Sequence, residues 1–204
     1  MGDLNGYFLV GLCAALVTFV TTPLVRNLAR RFGWYALPGP RKVHSKPTPQ
    51  LGGVAMFAGF LVAIAMAWQM DRFHGLFSGN SEPLGVVVAG LIILLTGVMD
   101  DVHEVSPPGR ILATVASAMV LVYFGVTMFY FRIPFLGVLQ MSSDWTPIIT
   151  VAWLLIMTQA INLIDGLDGL AGGIVAIGSA SFFIYSRHLS DLHLLTEPNI
   201  GPLI

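Results

Sequence analysis

Residues 162–173 read Asn162-Leu163-Ile164-Asp165-Gly166-Leu167-Asp168-Gly169-Leu170-Ala171-Gly172-Gly173. Two carboxylates and an amide stand in a glycine-rich turn between two long apolar segments. Ionised side chains at the end of a membrane span are expensive and need a reason. A local reason exists for each taken alone. Asp168 precedes an apolar helix and is a favoured N-cap, Asp165-Gly166 is a common turn step, and Asn162 can close a turn on its own backbone. One cap does not require two Asp-Gly steps three residues apart, and backbone N–H groups at a glycine-rich helix start form a natural anion site. The turn marks a boundary between spans, and the fold is counted outward from it.

Pro147–Ile161 and Leu170–Tyr185 flank the turn. Four more apolar runs precede them: Tyr7–Val25, Leu51–Met70, Leu84–Met99 and Ile111–Tyr130. A helix needs about 20 apolar residues to cross a bilayer, and the runs are near that length. The 204-residue chain is 55% hydrophobic and only 10% charged, with mean hydropathy +0.79. A soluble domain carries about 25% charged residues, so this chain lacks the charge to cover a water-facing surface. The expected fold is all-α: a polytopic integral membrane protein with about six transmembrane helices, residues 1–204 forming a single transmembrane domain. The lone Cys13 excludes an intramolecular disulfide. Met1-Gly2-Asp3 lacks the basic n-region of a secretory signal, so the first run reads as a retained span.

Six of the ten Lys and Arg residues (Arg26, Arg30, Arg31, Arg41, Lys42 and Lys46) follow the first run. The positive-inside rule puts that loop in the cytoplasm and the N-terminus outside. Alternation then returns Asp100-Asp101, Arg110 and the Asn162 turn to the same face. Leu51-Gly52-Gly53 is expected to let backbones approach closely, and Pro107-Pro108-Gly109 to stop a helix. Alternation over residues 135–139 suggests a short external hairpin, and Trp145 suits an interfacial belt.

Asp100 and Asp101 close the third run, where the helix dipole is already negative. Like charges about 4 Å apart at an effective dielectric of 20 repel by roughly 4 kcal/mol, and a bound Mg²⁺ or Mn²⁺ would reverse that sign. The competing reading is a solvated loop start. The arginines after the first run are accounted for as topology signals. Lys46 and Thr48, between prolines and before Gly52-Gly53, form a stiffer segment that could aim a cation at phosphates. His44 and His103 could be general bases or merely interfacial histidines. His74, His188 and His193 are assigned nothing.

Three motifs in this order, Lys42-Val43-His44-Ser45-Lys46-Pro47-Thr48-Pro49-Gln50-Leu51-Gly52-Gly53, then Gly97-Val98-Met99-Asp100-Asp101-Val102-His103-Glu104, then Gln159 to Gly173, resemble those of the polyprenyl-phosphate N-acetylhexosamine-1-phosphate transferases. That family, glycosyltransferase family 4, includes the phospho-MurNAc-pentapeptide transferase and the enzymes that start teichoic-acid, enterobacterial-common-antigen and O-antigen lipopolysaccharide synthesis. The Leu-Gly-Gly and Asn-Leu-Ile-Asp forms are closer to its UDP-GlcNAc branch. The resemblance implies a Mg²⁺-dependent enzyme, with Mn²⁺ as a substitute. In its reaction a polyprenyl (undecaprenyl) phosphate attacks the β-phosphorus of a UDP-N-acetylhexosamine and releases UMP. Carried onto this chain, Asp100 and Asp101 would serve the lipid phosphate and the metal, one of them taking the proton. Asn162, Asp165 and Asp168 would position the nucleotide-sugar, Gly166 and Leu167 would lie near the base, and Lys46 and Thr48 would face the phosphates. Asp165 and Asp168 thus join Asp100 and Asp101 as the catalytic set. The expected location is the bacterial inner membrane, with the site on the cytoplasmic face. The bilayer is the implied partner, nucleic acid is not, and a homodimer is admitted.

The chain departs from the family in lacking its later Gly-Asp-x-Gly-Ser loop and histidine-rich loop. Leu203-Ile204 looks like the opening of another span, so the chain is expected to be an N-terminal fragment with little turnover alone. Two rivals remain. A CDP-alcohol phosphotransferase also uses Asp-Gly steps, but here no acid follows Asp168 until Asp191. An ion-coupled transporter would use intramembrane acids as a relay, but none of these acids lies mid-span.

Overall fold

A computed structural model describes residues 5–36, 47–79, 81–128, 130–133, 137–164 and 169–191. The elements are α1 (Asn5–Phe32), β1 (Tyr35–Ala36), β2 (Thr48–Pro49), α2 (Gly52–Trp68), a 3-10 turn (Asp71–Phe73) leading into α3 (His74–Phe77), α4 (Glu82–His103), α5 (Pro107–Tyr123), β3 (Tyr130–Ile133), β4 (Gly137–Gln140), α6 (Thr146–Ile164) and α7 (Leu170–Asp191). The fourth apolar run of the sequence overshoots, since α5 ends at Tyr123 and Tyr130 begins β3, but each run overlaps one of the six long helices. This follows from the bilayer itself, which leaves no water to satisfy backbone N–H and C=O groups, so a spanning segment must bond within itself.

Among the described residues, four helices are long and apolar enough to cross a membrane: α1, α4, α6 and α7. A fifth crossing exists if α2 and the segment to Phe77, bent by 92°, are one span. The remaining helix, α5, has 17 residues, about 26 Å at 1.5 Å per residue, a little short of a ~30 Å hydrocarbon layer. Phe8, Phe19, Leu112 and Ile177, among many large apolar side chains, are exposed, as suits a surface that faces lipid.

The chain divides into two compact units, Met1–Asn80 with Ile164–Ile204, and Ser81–Leu163. In the first, α1 and α2 run antiparallel. Ala55, Gly59, Ala63 and Ala67 are the buried residues of α2, one every fourth position. A Cβ at Gly59 would run into Ala14 O and Thr18 Oγ1 of α1. Small residues at this spacing let two helix backbones close on each other. Of the glycines expected to allow close approach, Gly52 has nothing within 4 Å of a Cβ built on it, whereas Gly59 lies against α1. At the far end Tyr7, Val10, Ala63, Ala67 and Phe73 form a buried cluster. The edges of Phe73 and Phe183 meet the Tyr7 ring at 5.3 and 5.6 Å, and the Arg72 guanidinium lies 4.9 Å from its centre. At the other end Gly33, with φ +75°, ends α1. Tyr35 then pairs with Pro49 and Ala36 with Thr48, which ties together the two ends of the basic loop. Leu51 caps α2 in the left-handed region at φ 73°. Its side chain is 5% exposed, so burial offsets a backbone conformation that leucine disfavours.

In the second unit α4 and α5 form another antiparallel pair. Gly85 of α4 packs against Phe124, and Ser117 Oγ donates to Ala89 O at 2.9 Å within the interface. The Pro107-Pro108 step does not stop a helix as expected. It opens α5, at the first positions where a missing N–H costs nothing. What ends α4 is Glu104, at φ 48°, whose N–H donates to Asp100 O. The expected hairpin forms with Tyr130 paired to Gln140 and Ile133 to Gly137. The loop after α5 is pinned to α6, Met128 N–H donating to Thr150 Oγ1 at 2.9 Å.

Candidate active site

The cavity that matters lies inside the second unit. Helix α4 supplies Ile93, Thr96, Gly97 and Asp100, spaced i, i+3, i+4, i+7 and so on one face. Helix α5 supplies Arg110 and Thr114, one turn apart. Helix α6 supplies Thr158, Gln159 and Asn162. Together they line a space of about 150 Å³. The lining changes character along its depth: Asp100 and Arg110 belong to the connection between α4 and α5, and the hydroxyls lie a turn further into the helices. Thr96 Oγ1 donates to Ile92 O at 2.8 Å and Thr114 Oγ1 to Arg110 O at 2.9 Å. Their hydrogens are spent within the helix, so toward the cavity these threonines are acceptors.

Asp100 and Arg110 are locked by a closed circuit of bonds. Arg110 Nη2 meets Asp100 Oδ1 at 2.8 Å, Arg110 Nε donates to Val105 O at 3.1 Å, and Val105 N–H donates back to Asp100 Oδ1 at 2.9 Å. The side chains are 41% and 29% exposed. An ion pair this open contributes at most about 1 kcal/mol, so its consequence is geometric. It holds one carboxylate oxygen and one guanidinium at fixed positions on the cavity wall. Arg110 thus supplies a positive partner to Asp100 beside the repulsion expected at Asp100-Asp101.

Of the residues singled out in the sequence, Asp100 and Asn162 come together on this cavity. Asp101 is half-buried on α4, turned about 100° from its neighbour by the helix, and is not among the lining residues. Thr48 lies in β2, in the first unit, opposite Ala36. His103 is exposed at the end of α4. Lys46, His44, Asp165, Gly166, Leu167 and Asp168 lie outside the described residues. Among the described residues, no three His, Cys, Asp or Glu side chains converge to hold a metal ion.

The sequence reading passed over Arg110, Thr114, Thr158 and Gln159. Arg110 was counted only as a topology signal, although it starts the helix that follows the acidic pair. Thr158 and Gln159 precede Asn162 by four and three residues, and helical spacing alone puts them on its face.

Residues 83–197, more than half of the chain, match the model of glycosyl transferase family 4. The chain is 36% identical over 187 residues to the decaprenyl-phosphate N-acetylglucosaminephosphotransferase of Mycolicibacterium smegmatis, covering 91% of this chain and 46% of that one. It is 33% identical to a probable undecaprenyl-phosphate N-acetylglucosaminyl 1-phosphate transferase of Bacillus subtilis, covering 83% and 45%. Against the phospho-N-acetylmuramoyl-pentapeptide-transferase of Streptomyces avermitilis the figures are 31%, 92% and 59%. The chain therefore spans about half the length of the curated relatives it matches. No solved structure matches it. None of these relatives is a transporter or a CDP-alcohol phosphotransferase. A multi-pass helical membrane chain, with the acidic, basic and amide groups just described and this match over most of its second half, belongs to glycosyl transferase family 4.

Proposed function

We propose that the chain is the N-terminal part of an enzyme that transfers a sugar-1-phosphate, GlcNAc-1-phosphate in the first instance, from a UDP-sugar to a polyprenyl phosphate. The observation that carries this reading is the meeting of a carboxylate, a guanidinium and an amide on one cavity, at Asp100, Arg110 and Asn162. In the reaction an oxygen of the lipid phosphate bonds to the β-phosphorus of the UDP-sugar, the bond from that phosphorus to the bridging oxygen breaks, and UMP leaves with the bridging oxygen. One anion attacks another, so positive groups must screen the approach while a carboxylate takes any proton on the acceptor. Arg110 would serve the first need and Asp100 the second.

Carboxylate oxygens are the donors that Mg²⁺ or Mn²⁺ takes. Both bonds of Asp100 to described residues fall on Oδ1, so Oδ2 is the atom it would offer to such an ion, with Asp101 as its neighbour. A divalent ion held there would neutralise charge on the diphosphate. Asn162, Asp165 and Asp168 would orient the nucleotide-sugar, Gly166 and Leu167 would lie against the base, and Lys46 and Thr48 would meet the phosphates. The site would open to the cytoplasmic face of a bacterial plasma membrane, and the product would begin an envelope polysaccharide. The names of the relatives support the acceptor and donor classes.

The test uses membranes carrying this chain and, beside them, a longer form extended to the length of the relatives. Each receives labelled UDP-GlcNAc, polyprenyl phosphate and Mg²⁺. UMP release by the longer form, lost in Asp100→Asn and Asp165→Asn, is the expected result. Ion flux without UMP release, or accessibility labelling that puts Asp100 and the 162–168 turn on opposite sides of the bilayer, would overturn the reading.

A further inference from the structure

From Leu4 to Met70 the chain has six cations and no Asp or Glu. Three of the cations, Arg26, Arg30 and Arg31, stand on the last two turns of α1. All three are exposed, and none forms a salt bridge with a described residue. Topology needs positive charge on this side of the membrane but not this arrangement of it. Helix α1 has 28 residues, about 42 Å at 1.5 Å each, against a hydrocarbon layer of ~30 Å. The uncharged part runs to Val25, so the excess of roughly two turns falls at the arginine end and stands in the headgroup layer.

On the helix surface Arg26, Arg30, Asn27 and Arg31 occupy a continuous arc of roughly 140°. Ala29, fully buried, faces the protein. Beyond Arg31 the arc passes into Leu24 and Leu28, both exposed, at i−7 and i−3 from Arg31. Like charges one turn apart disfavour a helix, and no acid in this part of the chain relieves them. Past Gly33, the Trp34 ring stacks on Phe32 at 4.9 Å and 20°, and Trp34 N–H donates to Ala29 O at 2.9 Å. Tyr35 Oη donates to Arg30 O at 3.2 Å. Amphipathic rings held in this way mark the depth of the headgroups.

We propose that this end of α1 is a binding site for an anionic glycerophospholipid. Its phosphodiester is held by Arg31 with Arg30 and Arg26, and an acyl chain lies along Leu28 and Leu24. The proposal rests on the chain being a membrane protein and not on the transfer reaction, so a failed UMP assay leaves it standing.

Trp34 is a local reporter once the other three tryptophans are replaced (Trp68→Phe, Trp145→Phe, Trp153→Phe). The full chain in this form is reconstituted in phosphatidylcholine bilayers. Brominated phosphatidylglycerol or brominated phosphatidylcholine is titrated in, and Trp34 fluorescence is read. Brominated phosphatidylglycerol is expected to quench at lower mole fraction. That preference should drop roughly fivefold for each of Arg26→Gln, Arg30→Gln and Arg31→Gln, while the matching lysine variants keep most of it. It should also collapse as salt rises from 0.1 to 1 M and the screening length shrinks from about 10 Å to 3 Å. Equal quenching by the two lipids, or a preference unchanged at 1 M salt, would overturn the proposal. The salt titration needs no arginine variant, so a glutamine variant that failed to insert would not shelter it.

Discussion

The α1–α2 and α4–α5 pairs begin from the same device and depart from it at different points. In the first, small residues recur every fourth position along α2, from Ala55 through Gly59 and Ala63 to Ala67, and all are buried. In the second, the same spacing runs Gly85, Ala89, Ile93, Gly97 along α4. Only Gly85 and Ala89 are buried, and Ile93 and Gly97 face the cavity instead. Gly59 meets a backbone carbonyl and a threonine hydroxyl, whereas a Cβ at Gly97 would meet nothing within 4 Å. A close-packed pair of helices is thus a scaffold when it closes along its whole length. It leaves a candidate site when it stays open near one end and polar groups from a third helix, α6, line the gap.

The largest effect that could break this comparison is at the open end. In a form that turns over, Asp100→Asn is expected to lower UMP release by about 10²–10⁴-fold, the usual loss when a general base is removed, while the unfolding midpoint in detergent barely moves. A midpoint that falls with the activity would mean that Asp100 is structural. Arg110→Gln comes next. It removes the clamp on Oδ1, and misplacement of the carboxylate should cost about 10–10²-fold, against a stability change within about 1 kcal/mol. Arg110→Lys should recover part of the rate, and full activity in Arg110→Gln would show that the clamp is incidental. At the closed pair, Gly59→Ala should cost about 1–3 kcal/mol by overpacking. Gly97→Ala, with open space before it, should be neutral or gain up to about 1 kcal/mol from helix propensity. Equal behaviour of the two glycines in a denaturant titration would erase the distinction. The smallest effect is Ser117→Ala, which loses the bond to Ala89 O and should cost about 0.6 kcal/mol, the average for such bonds between membrane helices.

Particular residues show how far the sequence could be read. All six apolar runs became helices, yet Pro107-Pro108, read as a stop, opened α5. Proline punctuates a helix at either end, and only the chain's course shows which end applies. Gly52 reads from sequence as a contact and has open space before it, while Gly59 closes on α1, because glycine's use in packing depends on what the other helix brings opposite. Asn162 and Asp100 were singled out from local chemistry and do share a cavity. Arg110 was not, since its partner lies ten residues back across a loop whose path depends on Glu104.

From the amino acids alone follow the membrane class, the number and rough limits of the helices and the acid, amide and cation motifs. A bilayer forces each spanning segment to satisfy its own backbone, and hydropathy along the chain is enough to find such segments. Which helix faces touch, where a pair closes and where it parts, and that Arg110 rather than another cation holds Asp100 were decided only in three dimensions. Those outcomes depend on side chains from separate helices meeting at ångström separations, a property of pairs that no single stretch of sequence contains.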